Sequence, residues 1–365
     1  MTSMKSKPVI RQNTAGSFFL VLFLSAALRL QGQLTYITNT GGESITITGY
    51  EGTPGIVNIP SAINGLPVTA IEQSAFSYKL LTSITIPGSV TNIGTEAFQY
   101  CNYLTNLVIS NGVTSIGARA FVNCTNLGNV TIPESVTNFE NSIFEYCYVL
   151  SNVTLTVGLT SIGAEMFSDC YALTSVAIPG TVTNIGTSSF SYCRGLTNLI
   201  ISNGVTAIES GAFQYCTNLP TVTIPASVTN IDQAVFGNCY SLLSVFFRGK
   251  PPADLLAAFD DDTYLSIYYL PGAAGWGTNI GNIQTVLWDP LFQIGGTNFG
   301  VVSNEFVFNI TGSNNIPIAI EACDDLAAPL WTPLQSVTLT NGSFHFSEPL
   351  QTGSPARFYR ISGPQ

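Results

Sequence analysis

The sequence predicts a repeat solenoid built from coils of 23 residues, followed by a small antiparallel all-β domain. Seven cysteines follow one another at a constant spacing of 23 residues. Columns of Phe, Leu and Ile keep the same spacing. The period ends near residue 290, beyond which short β-rich segments are separated by Gly, Asn and Pro. A strict period of this length is the signature of stacked structural repeats.

Each repeat reads L-x-x-I-x-I-P-x-x-V-x-x-I-x-x-x-A-F-x-x-C-x-x. The alternating, β-branched segment 81–86 predicts a strand, and Pro87 with Gly88 predicts a turn. A second short strand is expected at residues 90–93, and residues 95–101 suit a helical turn. No element is long enough to bury a core by itself. The coils are therefore expected to stack as short parallel strands joined by helical turns.

The first 32 residues read as a secretory signal peptide. Lys5, Lys7 and Arg11 form a basic start, and residues 18–28 form an apolar run of 11 residues. Such a run is shorter than the roughly 20 residues that cross a bilayer, but it fits the apolar part of a signal peptide. A retained membrane anchor is the alternative. The sequence thus predicts a secreted or cell-surface protein with no integral membrane span after signal removal.

The charge of the chain excludes several classes of partner and site. Only 9% of the residues are charged, against roughly 25% in ordinary globular chains. Residues 1–32 hold four of the 11 basic residues and none of the 21 acidic ones, so their removal leaves a net charge of −14. Binding to nucleic acid or to anionic membranes is therefore not expected. The one histidine, His345, lies outside the repeats, which excludes His-dependent catalytic triads and multi-His metal sites there.

The repeat pattern divides the rest of the chain into regions. Residues 33–80 are expected to form an N-terminal cap and a first irregular coil, and residues 81–241 the regular repeats. Residues 242–289 are expected to hold degenerate coils and a C-terminal cap. In that region Tyr268 lies eight periods after Ile84, which predicts that it continues the Ile84 column.

Two of the units, LTSITIPGSVTNIGTEAFQYC (81–101) and LTSVAIPGTVTNIGTSSFSYC (173–193), resemble the BspA-type leucine-rich repeats of secreted and surface bacterial proteins. The lead-in at residues 45–76 is similar to the opening of such arrays, and YYLPGAAGWG (268–277) is similar to their closing segment. The resemblance covers roughly residues 40–288 and implies a leucine-rich-repeat solenoid. It also implies a role in adhesion and protein–protein contact, without naming a ligand.

Residues 290–365 are predicted to form the small antiparallel all-β domain. Segments such as NEFVFNITGS and PIAIEACDD read as short strands, and Asn341–Gly342 is a hairpin signal. The segments IEACDDLAAPLWTPL and ARFYRI resemble a short C-terminal module found on diverse secreted bacterial proteins.

The cysteine column is predicted to be a buried ladder of free thiols. A Cys beside a core Phe packs as a small hydrophobe, and like residues stack in solenoids. Disulfides between neighbouring coils are one alternative, because coils about 4.8 Å apart bring the Cα atoms within disulfide range. A metal site is a second alternative, but zinc needs ligands that converge on one point. The column comprises Cys101, Cys124, Cys147, Cys170, Cys193, Cys216 and Cys239.

Two surfaces are candidates for binding. The outward positions of the first strand predict an uncharged, small-polar face, which a solenoid can present as an extended binding surface; a plain solvated face is the alternative. Its candidate residues are Ser83, Asn106, Asn129, Asn152, Ser175, Asn198 and Thr221. Tyrosines that precede the cysteines predict an aromatic edge, since Tyr is enriched at interfaces; tyrosines that merely cap the core are the alternative. They are Tyr100, Tyr146, Tyr192 and Tyr215.

The sequence as a whole favours a non-catalytic binding scaffold that acts in protein–protein interaction or adhesion through the solenoid surface. Its expected partner is an unknown protein or glycan, and neither a cofactor nor a metal is expected. The alternatives are a β-solenoid enzyme that acts on a polysaccharide and a structural protein of the envelope or matrix. An enzyme of that kind needs Asp, Glu, Arg or Lys side chains clustered across adjacent coils. The repeats carry scattered charged residues that form no evident catalytic pair in the sequence: Glu96, Arg119, Glu145, Glu165, Asp169 and Arg194.

Overall fold

The computed structural model of the chain describes residues 11–12, 34–259, 264–295, 299–350 and 356–363. The predicted signal peptide lies outside these residues, apart from Arg11 and Gln12. Within the described part of the chain, no helix has the length and apolarity needed to cross a membrane. The chain divides into two compact units. The first comprises Met1–Leu219, Ser227–Ser241 and Pro252–Asp262, and the second Pro220–Ala226, Leu242–Pro251 and Thr263–Gln365.

Short strands make up nearly all of the regular structure. Those before the regular repeats are β1 (Arg11–Gln12), β2 (Leu34–Thr38), β3 (Ile45–Tyr50), β4 (Gly55–Asn58), β5 (Ala62–Ile63) and β6 (Leu66–Ile71). Those of the repeats are β7 (Leu81–Ile86), β8 (Asn92–Ile93), β9 (Asn106–Ile109), β10 (Ser115–Ile116), β11 (Asn129–Thr131), β12 (Asn138–Phe139), β13 (Asn152–Thr154), β14 (Ser161–Ile162), β15 (Ser175–Ile178), β16 (Asn184–Ile185), β17 (Asn198–Ile201), β18 (Ala207–Ile208), β19 (Thr221–Ile224), β20 (Asn230–Ile231) and β21 (Ser244–Phe247). A 3₁₀ helix (Leu255–Phe259) follows, and then β22 (Ser266–Tyr269), β23 (Asn279–Ile280), β24 (Ile283–Leu287), β25 (Leu291–Gln293), β26 (Gly300–Val302), β27 (Glu305–Thr311), β28 (Ile316–Cys323), β29 (Thr332–Leu339), β30 (Ser343–Pro349) and β31 (Phe358–Ser362).

In the first unit, each coil contributes two strands to two sets of parallel ladders. The first strands pair as β4-β7-β9 and as β11-β13-β15-β17, and the second strands as β6-β8-β10-β12 and as β14-β16-β18-β20. In the regular repeats, residues 23 apart stand opposite each other, as Val130 and Val153 do. Because side chains alternate along a strand, one set of positions is buried in every coil and the other set faces outward. The predicted solenoid of 23-residue coils is confirmed.

A column of phenylalanines forms the centre of this core. Their rings stack in sequence at centroid distances of 4.8–5.7 Å with nearly parallel planes. Tyr50 stacks on the first ring at 5.8 Å, so the N-terminal strands cap the column. Phe259 ends it from the 3₁₀ helix, in the register that the 23-residue spacing requires. We call this column the Phe ladder; it comprises Phe76, Phe98, Phe121, Phe144, Phe167, Phe190, Phe213, Phe236 and Phe259.

The segment before each cysteine is not a turn of helix, as its Ala-Phe centre suggested, but a run of tight turns. Two residues of each segment, the fifth and the first before the Cys, have left-handed backbone angles; Glu96 and Tyr100 both have φ of 57°. A right-handed helix cannot include such residues. The strain is offset by hydrogen bonds to the next coil, because the amides of Glu96 and Tyr100 donate to the carbonyls of Ala118 and Val122 at 2.8 and 2.9 Å.

The second unit combines the last strands of the repeat with the C-terminal strands. Strands β19, β21, β22 and β24 form a parallel ladder, and β23 is antiparallel to β24. The C-terminal strands form two antiparallel sheets. In one, β27 pairs along its whole length with β30 and along the two ends of its other edge with β26 and β25. In the other, the order is β29-β28-β31. The predicted antiparallel β domain is therefore present.

The register predicted for Tyr268 is wrong by one residue. Val245 stands opposite Ile267, so Ile267 continues the Ile84 column, whereas Tyr268 stands opposite Phe246 on the outward side. The coil that separates the two strands is one residue shorter than the period, and a shift of one residue exchanges the two faces of a strand. Both Phe246 and Tyr268 are nevertheless buried, because the C-terminal strands pack a core cluster against them.

Candidate functional site

The outward positions of the first strands form a polar row that runs along two successive parallel ladders of the first unit. Asn129, Asn152, Ser175 and Asn198 stand opposite one another on four consecutive strands of one sheet. Ser83 and Asn106 are paired in the preceding ladder. The seventh candidate, Thr221, belongs to the second unit, where it pairs with Ser244. We call the surface formed by these six residues of the first unit and by the outward residues two positions after each of them the strand face.

The hydrogen bonds show which polar groups of this unit are available to a ligand. The amide of Asn106 donates to Ser83 Oγ at 2.8 Å, and that of Asn198 donates to Ser175 Oγ at 3.2 Å. In contrast, the exposed amides of Asn129 and Asn152 have no hydrogen-bond partner among the described residues. The centre of the strand face therefore presents two adjacent side-chain amides whose hydrogen-bonding capacity is unused.

Threonines at the margins of the strands behave differently. The hydroxyls of Thr105 and Thr197 donate to the carbonyl of the equivalent residue in the preceding coil, at 3.1 and 3.3 Å. The same bond recurs beside the second strands, where Thr114 donates to the carbonyl of Thr91 at 3.0 Å. These hydroxyls hold the coils together, so they have less capacity left for a ligand than the Asn amides have.

The second outward row of the strand face mixes small polar and apolar side chains without any charge. Val108 is 41% exposed and Ile200 is 44% exposed. These two side chains give the face apolar contact area at both ends of the free amides. The row comprises Thr85, Val108, Thr131, Thr154, Ala177 and Ile200.

The tyrosines of the predicted aromatic edge do not form one continuous row. Tyr192 and Tyr215 stack at 4.4 Å, and Tyr100 stacks instead on Tyr78 at 4.7 Å. Tyr146 meets the edge of Tyr148 at 6.2 Å. Asn123 and Asp169 occupy the same column and interrupt it.

Sequence reasoning missed a second tyrosine column, one residue after the cysteines. Tyr148 and Tyr171 stack at 5.0 Å, and the guanidinium of Arg194 lies over Tyr171 at 5.2 Å and over Tyr192 at 5.5 Å. Arg194 therefore joins the two columns into one aromatic edge. Burial, together with a hydrogen bond to Asp169, raises the pKa of Tyr171 to about 12. The signal in the sequence was Tyr148 and Tyr171 themselves, 23 residues apart.

Several of the charged residues form a small cluster across adjacent coils. Arg119 Nε lies 3.9 Å from Glu96 Oε1, and Ser142 Oγ donates to Glu165 Oε2 at 2.8 Å. Glu145 is only 7% exposed, and its Oε2 is buried with no hydrogen-bond partner among the described residues. Burial raises the pKa of the Glu145 carboxyl, the charge of Glu165 raises it further, and Arg119 opposes the rise.

Replacement of Glu145 by Gln is expected to stabilise the fold at neutral pH. A raised pKa in the folded state means that the ionised form is disfavoured there, so the penalty is present above the folded pKa and absent below the unfolded value of about 4.3. The E145Q variant should gain about 1 kcal/mol at pH 7 and nothing near pH 4. Urea unfolding at both pH values measures this. The exposed Glu43 provides the control: an equal gain in E43Q would show that the effect is general charge reduction.

The seven cysteines of the column are buried free thiols. Each Sγ–H donates to the carbonyl oxygen of the Phe-ladder residue in the preceding coil, as Cys170 does to Phe144 at 3.4 Å. All seven distances lie between 3.1 and 3.4 Å. Burial raises the pKa of Cys101 and of Cys147 to about 12. Each of these carbonyls also accepts a backbone N–H, as Phe144 does from Cys147 at 3.2 Å, so the thiol is a second donor to a buried carbonyl oxygen.

Alkylation of the native protein at pH 8 is expected to leave all seven thiols of the column unmodified. The thiolate is the reactive form. Burial keeps reagents away from all seven side chains, and it also raises the pKa of Cys101 and Cys147 to about 12, which keeps their thiolate population very low at pH 8. Iodoacetamide followed by intact-mass measurement should add no adducts to these residues in the native state, and one on each in denaturant. Fewer adducts in denaturant without reductant would reveal disulfides, and adducts on the native protein would contradict the burial.

The comparison with protein families gives a match over more than half of the chain. Residues 69–197 and 160–259 match the family described as BspA type leucine rich repeat region (6 copies). The comparison with curated proteins gives no match.

Among solved structures, a leucine-rich repeat protein from Bacteroides ovatus is similar over 70% of this chain and 75% of its own, with 22% identity and a TM-score of 0.51. A leucine-rich repeat protein of T. pallidum shows 29% identity over 57% of this chain and 87% of its own, with a TM-score of 0.48. A leucine rich cell surface protein from Faecalibacterium prausnitzii shows 26% identity over 70% and 92%, with a TM-score of 0.41. The B. ovatus structure supports the fold.

Proposed function

Because the chain belongs to the BspA-type leucine-rich repeat family, we propose that it is a non-catalytic scaffold that binds a protein partner through the strand face. The solenoid fold of this family suits protein interaction, since stacked coils repeat the same side-chain positions at each step of an extended surface. The proposal extends to a role in adhesion, with the protein either secreted or held at the bacterial cell surface. The basic start and the 11-residue apolar run of residues 1–32 support export.

The single observation that carries this proposal is the pair of unused amides at Asn129 and Asn152. A side-chain amide both donates and accepts hydrogen bonds, as the peptide groups of an extended polypeptide also do. The exposed apolar side chains of Val108 and Ile200 flank these amides on the same face. An extended segment of low net charge, with apolar side chains spaced along it, matches this pattern better than a charged ligand, because the strand face carries no countercharge.

The alternative functions make different demands on the chain. A polysaccharide-cleaving enzyme needs two carboxylates that flank the scissile bond. Glu145 and Glu165 are the nearest candidates, but Glu145 is almost fully buried. A purely structural role in the envelope or matrix requires no ligand for the strand face. A neutral glycan is a further candidate ligand for the same amides.

A screen of the purified full chain against extracellular host proteins and glycans tests the proposal. At least one protein is expected to bind saturably and to be displaced by unlabelled chain. Turnover of any glycan in the same panel would favour the enzyme instead. Saturable binding of glycans alone would indicate that the ligand is a saccharide and not a protein. An absence of all binding would favour the structural role.

A further inference from the structure

The second unit contains a pocket with a volume of about 340 Å³, which lies within the usual range of small-molecule sites. Residues of β21, β22 and β31 and those that directly follow these strands form most of its walls, and Thr223 of β19 and Trp288, which follows β24, complete them. Phe246 and Tyr268 line it with rings stacked at 4.9 Å, and Trp288 meets Phe246 edge-on at 5.8 Å. The indole N–H of Trp288 donates to the carbonyl of Pro317 at 2.8 Å, which fixes this ring.

Arg360 lines the pocket in a position held from two sides. Its Nε donates to Glu321 Oε2 at 2.6 Å, and its guanidinium lies 4.5 Å from the centre of the Trp331 ring. Glu321 is only 6% exposed, so the pair is anchored in the core of the unit. The terminal nitrogens of Arg360 have no hydrogen-bond partner among the described residues. They remain available as donors in a fixed plane.

Arg248 lines the same pocket from the end of β21. It is exposed, and it makes no ion pair with any described residue. Only seven basic residues follow position 33 in this acidic chain. Two of them line one pocket, both as arginine, whose planar group matches a carboxylate better than the ammonium of lysine does.

We propose that this pocket binds a short acidic saccharide, with the carboxylate of a uronic acid residue on Arg248 and Arg360. The guanidinium groups supply charge-assisted hydrogen bonds to the carboxylate. The aromatic lining supplies apolar area against a sugar ring, as in small-molecule sites that combine aromatic walls with a few placed polar groups. Thr223 adds a hydroxyl that can form a hydrogen bond with an oxygen of the sugar. The site is distinct from the strand face, which lies in the first unit.

Calorimetric titration of the full chain with digalacturonic acid at low ionic strength tests this proposal. Saturable one-site binding is expected, and the dimethyl ester of the same disaccharide, which lacks the charges, should bind at least about tenfold more weakly. Glutarate offers the carboxylates without a ring and should also bind more weakly. Equal binding of glutarate would overturn the saccharide assignment, and equal binding of the ester would overturn the role of the arginines.

A matched pair of variants separates the pocket from general electrostatics. R248Q is expected to weaken digalacturonate binding by about tenfold or more. K250Q removes the same charge two residues away, outside the pocket lining, and should change the affinity by less than about twofold. Both residues are exposed, so neither change should affect folding. An equal loss in both variants, or no binding by the unmodified chain, would overturn the proposal.

Discussion

Replacement of Phe167 by Ala is expected to lower the free energy of unfolding by about 3–5 kcal/mol. Its side chain is fully buried and stacks between Phe144 at 5.6 Å and Phe190 at 5.3 Å. The truncation removes both ring contacts and leaves a cavity at the middle of the Phe ladder. Because each coil contacts only its neighbours, the loss falls on the interfaces to both sides. Urea unfolding followed by circular dichroism measures the change.

Two further variants show whether the loss comes from the ladder. F167L keeps an apolar side chain of similar reach but loses the stacking, so it should cost about 1–2 kcal/mol. Y240A truncates an aromatic side chain that is 67% exposed and should stay within about 0.5 kcal/mol of the parent. If F167A cost no more than Y240A, the Phe ladder would not be the core of the fold.

Replacement of Gly204 by Ala is expected to destabilise the fold by about 2–5 kcal/mol, for two reasons that add. Its φ of +126° is accessible to Gly but strained for any residue with a Cβ. A Cβ at this position would also overlap the carbonyl oxygen of Gly180 in the preceding coil. The obstacle is backbone, so no side-chain rotation can relieve it, and the two coils would have to move apart.

Two other glycines separate these reasons in the same unfolding assay. Gly65 has a φ of +80°, and no atom of the described residues lies near the position of a Cβ, so G65A should show the backbone strain alone, about 1–2 kcal/mol. Gly128 lacks both features, and G128A should be neutral or slightly stabilising. A loss in G204A no larger than that in G65A would mean that the close approach of the coils contributes nothing.

The repeat architecture was predictable from the sequence because its signal is redundant. The spacing of 23 recurs in several columns at once, so the stacking of Phe98 on Phe121 follows from counting. The same redundancy carried the register as far as Phe259. The predicted register failed at Tyr268, because the coil before it is one residue short and nothing in the sequence shows where the next strand begins.

The turn conformation and the aromatic edge were less predictable, for physical reasons. Residues as different as Glu96, Arg119 and Ala234 take the left-handed conformation at equivalent positions. Hydrogen bonds between coils impose that conformation, and local propensity does not report it. The link made by Arg194 between two tyrosine columns depends on how side chains lean across coils. A column-by-column reading does not contain that information.

The outward residues of the strand face were predictable as positions, but their availability was not. Asn106 and Asn129 occupy equivalent positions in neighbouring coils. Among the described residues only the Asn106 amide of these two has a partner, because Ser83 stands opposite it at hydrogen-bond distance. The identity of the facing residue decides the matter, and the parallel register had to be known first. This contrast places the most available amides at the centre of the face.

The central claim is that the strand face binds a protein partner, and a charge-insertion experiment on the full chain tests it most directly. The double variant N129R/N152R places two positive charges on the face, and N102R/N218R places two on exposed turn positions of the same unit. The affinity of each for the protein recovered from the binding screen can be measured by surface plasmon resonance. We predict a loss of at least about tenfold for N129R/N152R and an unchanged affinity for N102R/N218R. Equal affinities of the two variants, or a loss confined to N102R/N218R, would contradict the assignment of the strand face.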